Sequence, residues 1–441
     1  MSRSWLPSSG ILPPGAVEPP PKGTSVAVVG LGRVGLPMAL ALAERGLEVI
    51  GVERDERVRR LLAQRKMPFI ERGCDELLEK WGLEVLADAA DLAANPPSYV
   101  IVTVGTPLLA HIEADLTQIT AVARGLAKSL RPGQTIVLRS TVAARTTSYV
   151  ARFLERETKL VPGRDFSVAF CPERLIEGKA LEELLTLPQV IGADDDLARS
   201  RASKLFAAFP VTQLHTSMVG AELVKLFNNV TRYVSFALAN QFALIADGFD
   251  EDIHPLIAFA NHQYPRDPIA TPGFAAGSCL RKDFGMVTEN HSTTDMLVAA
   301  WRVNEYMPNF MSRALVERAG ITGKVVAVLG HAFKRDSDDP RDSLTPKLLR
   351  YLEREVPREL RVVEPNIAGP LPSEYGETLV NWPLDRALDG AEVVVIAVNH
   401  SAFAGVRDLL EGPNARVSKG AWVADLWNVC GTGRTFFQVN S

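Results

Sequence analysis

The stretch from Thr24 to Arg45 narrows the folds open to this chain more than any other. Thr24 to Val29 is a short apolar run rich in valine, the composition of a buried strand. It leads directly into Gly30-Leu-Gly32-Arg-Val34-Gly35-Leu-Pro, and a helical apolar pattern follows to Arg45. A glycine-rich turn between strand and helix gives each glycine its own task. The first makes the turn tight, the second lets a pyrophosphate approach the backbone, and the third lets the helix lie close on the strand. The helix N-terminus, from Val34 onward, then faces the phosphates with its N–H groups. A second strand, Glu48 to Val52, ends at Glu53, where an acid accepts a hydrogen bond from a ribose 2′-hydroxyl. Gly30, Gly32, Val34, Gly35 and Glu53 are therefore candidate NAD-binding residues. Arg54 leaves a 2′-phosphate open as an alternative, although a solvated side chain is its plainer use.

The strand–helix alternation continues. Tyr99 to Val104 ends in Gly105-Thr106-Pro107, and Thr135 to Leu138 runs into Arg139-Ser140-Thr141-Val142. Val168 to Phe170 ends in Cys171-Pro172-Glu173-Arg174, with Glu177-Gly178 just beyond. Ligands of open parallel sheets sit beyond the carboxyl ends of the strands, which points Thr106, Thr141 and Glu173 at one edge. Threonines there also cap helices. Met218 to Asp247 has no proline and apolar residues at helical spacing. A helix of roughly 30 residues is about 45 Å long and can carry the chain from one domain to the next. Lys225 and Asn229, four apart, share a face of it among Leu223, Leu226, Phe227 and Val230. His254 to Ala260 and Thr294 to Met311 are further helices. Strands at Lys324 to Gly330, Leu360 to Val363, Val393 to Val398 and Trp422 to Asp425, with a helix at Leu344 to Leu352, make a second α/β unit. It lacks GxGxxG, so its crevice suits a nucleotide part of the substrate better than a second dinucleotide. The expected fold is α/β: two Rossmann-like parallel-sheet domains joined by a central helical domain with a long connecting helix. The expected divisions are a disordered Pro-, Ser- and Gly-rich tail (1–22), an NAD-binding domain (23–213), a helical domain (214–318) and a C-terminal domain (319–441).

A net charge of -4 over 441 residues argues against a nucleic-acid or anionic-membrane partner. No run of 18 apolar residues offers a membrane span. The four cysteines, Cys74, Cys171, Cys279 and Cys430, lie far apart without a CxxC pair. That excludes the usual zinc and disulfide patterns, leaves no metal site to expect, and suits a reducing, cytoplasmic setting. Cys279 stands apart. It follows the small-residue run Gly273-Phe-Ala-Ala-Gly-Ser and precedes Lys282 and Asp283. Small residues admit a ligand close to the backbone, and a nearby cation or helix N-terminus makes a thiol nucleophilic. A lone cysteine is ordinarily a small core residue, and this stretch alone leaves both uses open.

Taken in order, Gly30–Pro37, Val104–Pro107, Ser140–Val142, Pro172–Gly178, Lys225–Asn229, Gly277–Asp283 and Ala332–Asp342 give the chain a resemblance to the UDP-glucose/GDP-mannose dehydrogenase family, over roughly residues 24 to 430. The resemblance implies a homodimer built through the helical middle, and NAD-dependent four-electron oxidation of a sugar C6 alcohol to a carboxylate. The second oxidation explains the cysteine: a thiolate adds to the aldehyde, and oxidation of the thiohemiacetal gives a thioester. By this resemblance Cys279 is the nucleophile and Lys225 stabilises oxyanions. Asn229 and Asp283 orient them, and Glu173 is the base for thioester hydrolysis, with Thr141 holding water. Glu177 is a second candidate base or substrate contact, with a salt bridge to Arg174 or Lys179 as its ordinary alternative. Lys334 and Arg341 join Lys225 in binding a UDP-sugar, and Arg266 reaches the partner subunit's substrate.

The chain departs from the family pattern in places. Ala143-Ala144-Arg145 stands where Pro and Gly are usual, Phe274 and Ala276 where Gly is usual, and Arg281 where Pro is common. Cys171–Arg174 and the run Asn229–Tyr233 look like the branch acting on UDP-N-acetylhexosamines, UDP-N-acetylmannosamine or UDP-N-acetylglucosamine. Cys279–Asp283 looks more like the UDP-glucose branch. Two rival readings remain. A two-electron hydroxyacid dehydrogenase needs neither Cys279 nor a third domain, and an inactive NAD-binding regulator needs none of Cys279, Lys225 and Glu173.

Overall fold

The computed structural model describes residues 10–107, 114–277, 280–288, 293–373, 376 and 378–440. The chain divides into two compact units. The first holds Met1–Asn228 with Gly285–Asn290, and the second holds Asn229–Phe284 with His291–Ser441.

The first unit is built on one sheet. Its strands are β1 (Ile11–Leu12), β2 (Ser25–Val29), β3 (Glu48–Val52), β4 (Glu84–Leu86), β5 (Tyr99–Val102), β6 (Thr135–Leu138), β7 (Ser167–Phe170), β8 (Gln189–Gly192) and β9 (Gln213–Thr216). They lie in the order β1-β9-β8-β7-β6-β5-β2-β3-β4. From β4 to β7 every neighbour is parallel, and the chain order reverses between β2 and β5. That reversal is the switch point at which doubly wound sheets bind dinucleotides. β5, β6 and β7 are buried along their whole length, as strands covered on both faces must be. The sequence pattern missed β8 and β9. β8 runs antiparallel to β7, and β9 is parallel to β8.

Residues 10–22, expected to be disordered, are not so throughout. Ile11 and Leu12 pair antiparallel with Leu214 and Gln213 and cover the edge of β9. Two apolar residues and an open sheet edge suffice to hold a proline-rich segment whose prolines already restrict it.

The helix Met218–Asp247 begins and ends where its proline-free apolar period does, and the division between the units falls within it. In the second unit, Ala243 and Ala246 of that helix join a core with Met307, Met311, Leu315, Leu348 and Val326. The helix Asp295–Ala319 runs well past Met311. It accommodates Pro308 internally and stops at Gly320, whose φ is +63°. The sheet of this unit contains β10 (Val325–Leu329), β11 (Glu359–Val363), β14 (Val393–Ile396), β15 (Trp422–Ala424) and β16 (Phe436–Gln438), ordered β11-β10-β14-β15-β16. Only β16 is antiparallel to its neighbour. Leu371–Pro372 (β12) and Thr378–Leu379 (β13) form a separate antiparallel pair.

The first turns of the two sheets are built alike. Gly30 follows β2 at φ +91° and donates to Val52 O at 2.7 Å; Gly330 follows β10 at φ +101° and donates to Val363 O at 2.7 Å. An acid ends the next strand in each case. Glu53 accepts from Leu31 N at 2.8 Å, and Glu364 accepts from His331 N and Ala332 N, both at 2.8 Å. The turns differ in one partner. The buried His400 ring lies 3.0 Å from Glu364 through Nε2, while its Nδ1 receives Asp336 N–H at 3.0 Å. A backbone N–H can only donate, so Nδ1 is the acceptor and the proton sits on Nε2, which donates to Glu364. The acid of the second turn is thus occupied by the protein itself.

Burial alone would push the Glu364 carboxyl up, but the His400 bond and the N–H groups of Ala332 and His331 outweigh it and hold the pKa below its ordinary value. A depressed carboxyl contributes stability that is present above the ordinary carboxylate range and lost as pH falls through the folded pKa. Glu364→Gln should therefore destabilise the protein by about 1–3 kcal/mol at neutral pH, and the deficit should shrink in acid. Urea unfolding of both proteins across a pH series measures this. A deficit independent of pH would mean that shape, not charge, holds the turn.

Candidate active site

The cofactor edge of the first unit begins at the Gly30–Gly35 turn. A Cβ on Gly35 would lie 1.8 Å from Gly30 O and 2.4 Å from Thr103 Oγ1, so no side chain fits there. Thr103 Oγ1 donates to Gly30 O at 2.6 Å and locks that contact. A Cβ on Gly32 would meet nothing within 4 Å. Space is thus left over Gly32 while it is fully used at Gly35, as a turn shaped for a pyrophosphate requires. Val34 caps the helix Gly35–Glu44 with its backbone only, and no side chain closes the N-terminus. The Glu53 oxygens accept from Leu31 N at 2.8 Å and Asp55 N at 2.9 Å. Each carboxylate oxygen retains a second acceptor position for a ribose hydroxyl. These residues fit a dinucleotide.

Thr106 and Thr141 are joined directly: the Thr106 hydroxyl donates to Thr141 O. Thr106 is buried and Thr141 half-buried. Glu173 follows β7 and is also half-buried; its carboxylate accepts the N–H of Leu175. Two buried residues that the sequence pattern gave no reason to select hold the loop around it. Arg139 donates to Cys171 O at 3.1 Å and to Gln189 Oε1 at 2.9 Å, shaping the turn before Glu173. Glu71 accepts from Gly178 N at 2.8 Å and Ala180 N at 2.9 Å, fixing the segment after half-buried Glu177. Lys225 is 5% exposed, a buried cationic side chain on the helix Met218–Asp247.

Cys279 and Ser278 lie outside the described residues. The approach to them is fixed at both ends within the second unit. Asn240, fully buried, donates to Gly273 O and accepts from Gly273 N, both at 2.9 Å. Gly277, at φ +98°, donates to Asp342 O at 3.0 Å, and a Cβ there would strike the Phe333 ring at 2.3 Å. Phe274 and Ala276, unexpected where Gly is usual, are core residues. Beyond Cys279 the helix Leu280–Thr288 begins, with fully buried Asp283 in its first turn. Asn229 donates to Asp283 Oδ2 at 2.5 Å, so these two predicted site residues do meet.

Lys334 stands over the Phe333 ring, 5.6 Å from its centroid. Arg341 is held in a two-point contact with buried Asp339, its Nε at 2.8 Å from Oδ1. Arg341 also lines a cavity of about 570 Å³ with Arg281, Glu305, His331, Lys347 and Arg350. Arg281 and Lys347 both reach Glu305, at 2.7 and 2.9 Å. Arg266 is exposed and lies against the Tyr264 ring at 5.6 Å.

The other three cysteines are unsuited to nucleophilic chemistry. Cys74, Cys171 and Cys430 are buried, and desolvation pushes their thiols up, to about 12 for Cys74 and Cys171. Among the described residues no cluster of His, Cys, Asp and Glu could hold a metal ion. No helix among them is long and apolar enough to cross a membrane.

A mostly parallel open sheet with this turn, joined in sequence to a helical segment and a second α/β unit, is the architecture of a dinucleotide-binding protein. Three family models match in succession: the NAD binding domain of the UDP-glucose/GDP-mannose dehydrogenase family over 24–210, its central domain over 219–306 and its UDP binding domain over 327–432. The chain belongs to that family and is an NAD-dependent nucleotide-sugar dehydrogenase. It is 34% identical over 393 residues to the UDP-N-acetyl-D-mannosamine dehydrogenase of Pyrococcus horikoshii, covering 86% of this chain and 90% of that one. The solved structure of the UDP-D-ManNAc dehydrogenase of that organism matches with a TM-score of 0.78 at 31% identity, over 86% of this chain and 90% of that one. A UDP-glucose dehydrogenase structure from Pyrobaculum islandicum matches with a TM-score of 0.77 at 29% identity, covering 88% and 93%.

The Glu53 geometry sets a cofactor preference. A carboxylate accepts from a 2′-hydroxyl and repels a 2′-phosphate, so kcat/KM should favour NAD⁺ over NADP⁺. Glu53→Gln should narrow that ratio by about tenfold, the worth of one charge-assisted hydrogen bond. Equal values for the two cofactors in the unaltered enzyme would mean that Arg54 governs the pocket.

Proposed function

We propose that this enzyme oxidises the C6 alcohol of a UDP-N-acetylhexosamine, UDP-N-acetylmannosamine or UDP-N-acetylglucosamine, to the carboxylate through a thioester on Cys279. The observation that carries the reading is the Asn229–Asp283 bond. It ties the first turn of the helix after Cys279 to the helix that also bears Lys225, one turn earlier. The Gly30–Gly35 turn and Glu53 would hold NAD⁺, which would supply the hydride acceptor for both oxidations at C6. In the first, the C6 hydroxyl passes its proton to solvent as the hydride leaves, and Lys225 balances the charge that develops on the oxygen. The Cys279 thiolate then adds to the aldehyde carbon, and loss of the second hydride leaves a thioester. Glu173 takes the proton of the water that attacks this acyl carbon, with Thr141 holding the water; the carboxylate departs and the thiolate is restored. Glu177 is the second candidate for that base. Lys334 and Arg341 bind the nucleotide end of the substrate.

The N-acetylhexosamine reading is supported by the 34% identical relative and by the Cys171–Arg174 and Asn229–Tyr233 runs. UDP-glucose is the second reading, favoured by Cys279–Asp283 and by the Pyrobaculum islandicum likeness. The division of labour follows 23–213 for NAD⁺, 214–318 for the helical middle and 319–441 for the UDP end. A reducing, cytoplasmic setting suits the free thiols of Cys74, Cys171 and Cys430. The helical middle forms a homodimer in which Arg266 reaches the partner's substrate. In its support, Leu238, Ile245, Leu256, Phe249 and Phe259 are exposed, the last two at 77% and 78%. Large apolar side chains left exposed along one helical segment are what an interaction surface offers.

Two NADH should form per sugar oxidised, and a panel of UDP- and GDP-sugars identifies the substrate by kcat/KM. Cys279→Ser should bind NAD⁺ normally and form no carboxylate; unaltered carboxylate production would remove the covalent mechanism. Glu173→Gln should slow turnover by about 10²–10⁴-fold and accumulate an acyl adduct on Cys279, visible by intact-protein mass spectrometry. A slow variant without the adduct would assign hydrolysis to Glu177 or place Glu173 in an earlier step. For the dimer, Phe259→Asp should weaken association on the order of 30-fold, the effect of a buried aromatic anchor. Sedimentation equilibrium at micromolar concentration reads this, and a fully active monomer before any substitution would refute the dimer.

A further inference from the structure

We propose that Glu222 is a positioning residue of the reaction centre, holding the loop that carries Thr141 on the helix that carries Lys225. Glu222 is fully buried and lies three residues before Lys225 on the helix Met218–Asp247. Its carboxylate faces the start of the helix Thr146–Thr158. One oxygen accepts Arg145 N at 2.6 Å; the other accepts Thr147 N at 2.8 Å and Thr147 Oγ1 at 2.6 Å. The first N–H groups of a helix have no partner within it, and this helix has no side-chain cap of its own. Glu222 caps it from another element and places a negative charge where the helix dipole favours one.

The backbone explains why the outside cap matters here. Arg145 sits at φ +75° with its side chain exposed. A non-glycine residue is disfavoured in that region and keeps it only when its surroundings enforce it. The Arg145 N–H to Glu222 bond is the enforcing contact. The other end of the loop is secured separately, by the Thr106 hydroxyl on Thr141 O and by Ser140 Oγ on Val104 O at 2.7 Å. Ala143, in its middle, packs on Leu226, the residue after Lys225. Thr141 is therefore located between the sheet edge and the Lys225 helix, and Glu222 is the polar link on the helix side.

The inference rests on the roles given above to Thr141 and Lys225, and the test separates the two. In Glu222→Gln, one side-chain oxygen cannot serve all three donors, so the loop should shift. Misplacement of about 1 Å can cost up to 10²-fold in rate, and kcat/KM for NAD⁺ should fall on the order of 10–10²-fold. Arg145→Gly alone should leave activity within about twofold, because glycine adopts φ +75° freely. Added to Glu222→Gln, it should recover at least about threefold of the loss, since the loop then holds its conformation without the carboxylate. A purely structural cap gives a different result: a lowered Tm with kcat and KM unchanged in Glu222→Gln, which overturns the proposal. Should Glu222→Gln not fold, Thr147→Val, which removes a single donor from a buried site, takes its place. A kcat/KM lowered about threefold supports the proposal, and an unchanged one overturns it. Lys225→Ala and Thr141→Ala serve as controls. If they cripple the enzyme while Glu222→Gln is silent, positioning alone fails; if they are silent, the reaction-centre reading fails and the proposal falls with it.

Discussion

Backbone N–H groups in the loops after parallel strands must find acceptors once those loops are buried, and in this protein buried or half-buried carboxylates supply them repeatedly. Glu53 serves the first glycine turn, Glu71 the segment at Gly178 and Ala180, and Glu222 the helix at Thr146. Glu364 serves the second glycine turn, and Asp425 accepts from Val429 N at 3.0 Å and Cys430 N at 2.7 Å. The arrangement works because an ionised carboxylate accepts several bonds, and charge-assisted bonds exceed neutral ones. Where donors suffice, as at Glu364, the carboxyl stays below its ordinary pKa. At Glu222 burial wins, and the carboxyl is pushed up despite three donors. The same device therefore gives loops of different pH sensitivity.

The two α/β units show how one geometry separates into two uses. Both first turns place a glycine at positive φ and an acid at the end of the next strand. The first leaves open space over Gly32 and spare acceptor capacity on Glu53. The second carries Ala332 in the place corresponding to Gly32 and fills the acid with His400. The same backbone turn therefore leaves its acid open in the first unit and closes it in the second.

Burial sorts the cysteines in the same way. Cys74, Cys171 and Cys430 pack as small apolar residues, and desolvation makes each a poor thiolate. The described residues on either side of Cys279 are held at several points within the second unit. Asn240 holds Gly273 by two bonds, Gly277 is pinned to Asp342, and Asp283 is locked to Asn229.

Local pattern by itself determined much of this protein. The strand, glycine turn and helix from Ser25 to Glu44, the buried β5, β6 and β7, and the helix Met218–Asp247 all follow from periodicity, β-branched runs and proline placement. These are properties of neighbouring residues, so a linear reading captures them. The sequence order also held the family motifs, and with them the candidates at Thr141, Glu173, Lys225, Asn229, Cys279 and Asp283. It did not reveal that Ile11–Leu12 would join the sheet, nor that Arg145 would sit at positive φ. Nor did it single out Glu71, Arg139, Glu222, Glu364 or His400. An isolated acid or histidine in a sequence has no period and no fixed spacing to its partner. Glu71 meets Gly178 across 107 residues, and Glu222 meets Thr147 across 75. Only the folded chain decides those pairings, because which buried N–H groups lack an acceptor is known only once the strands have packed.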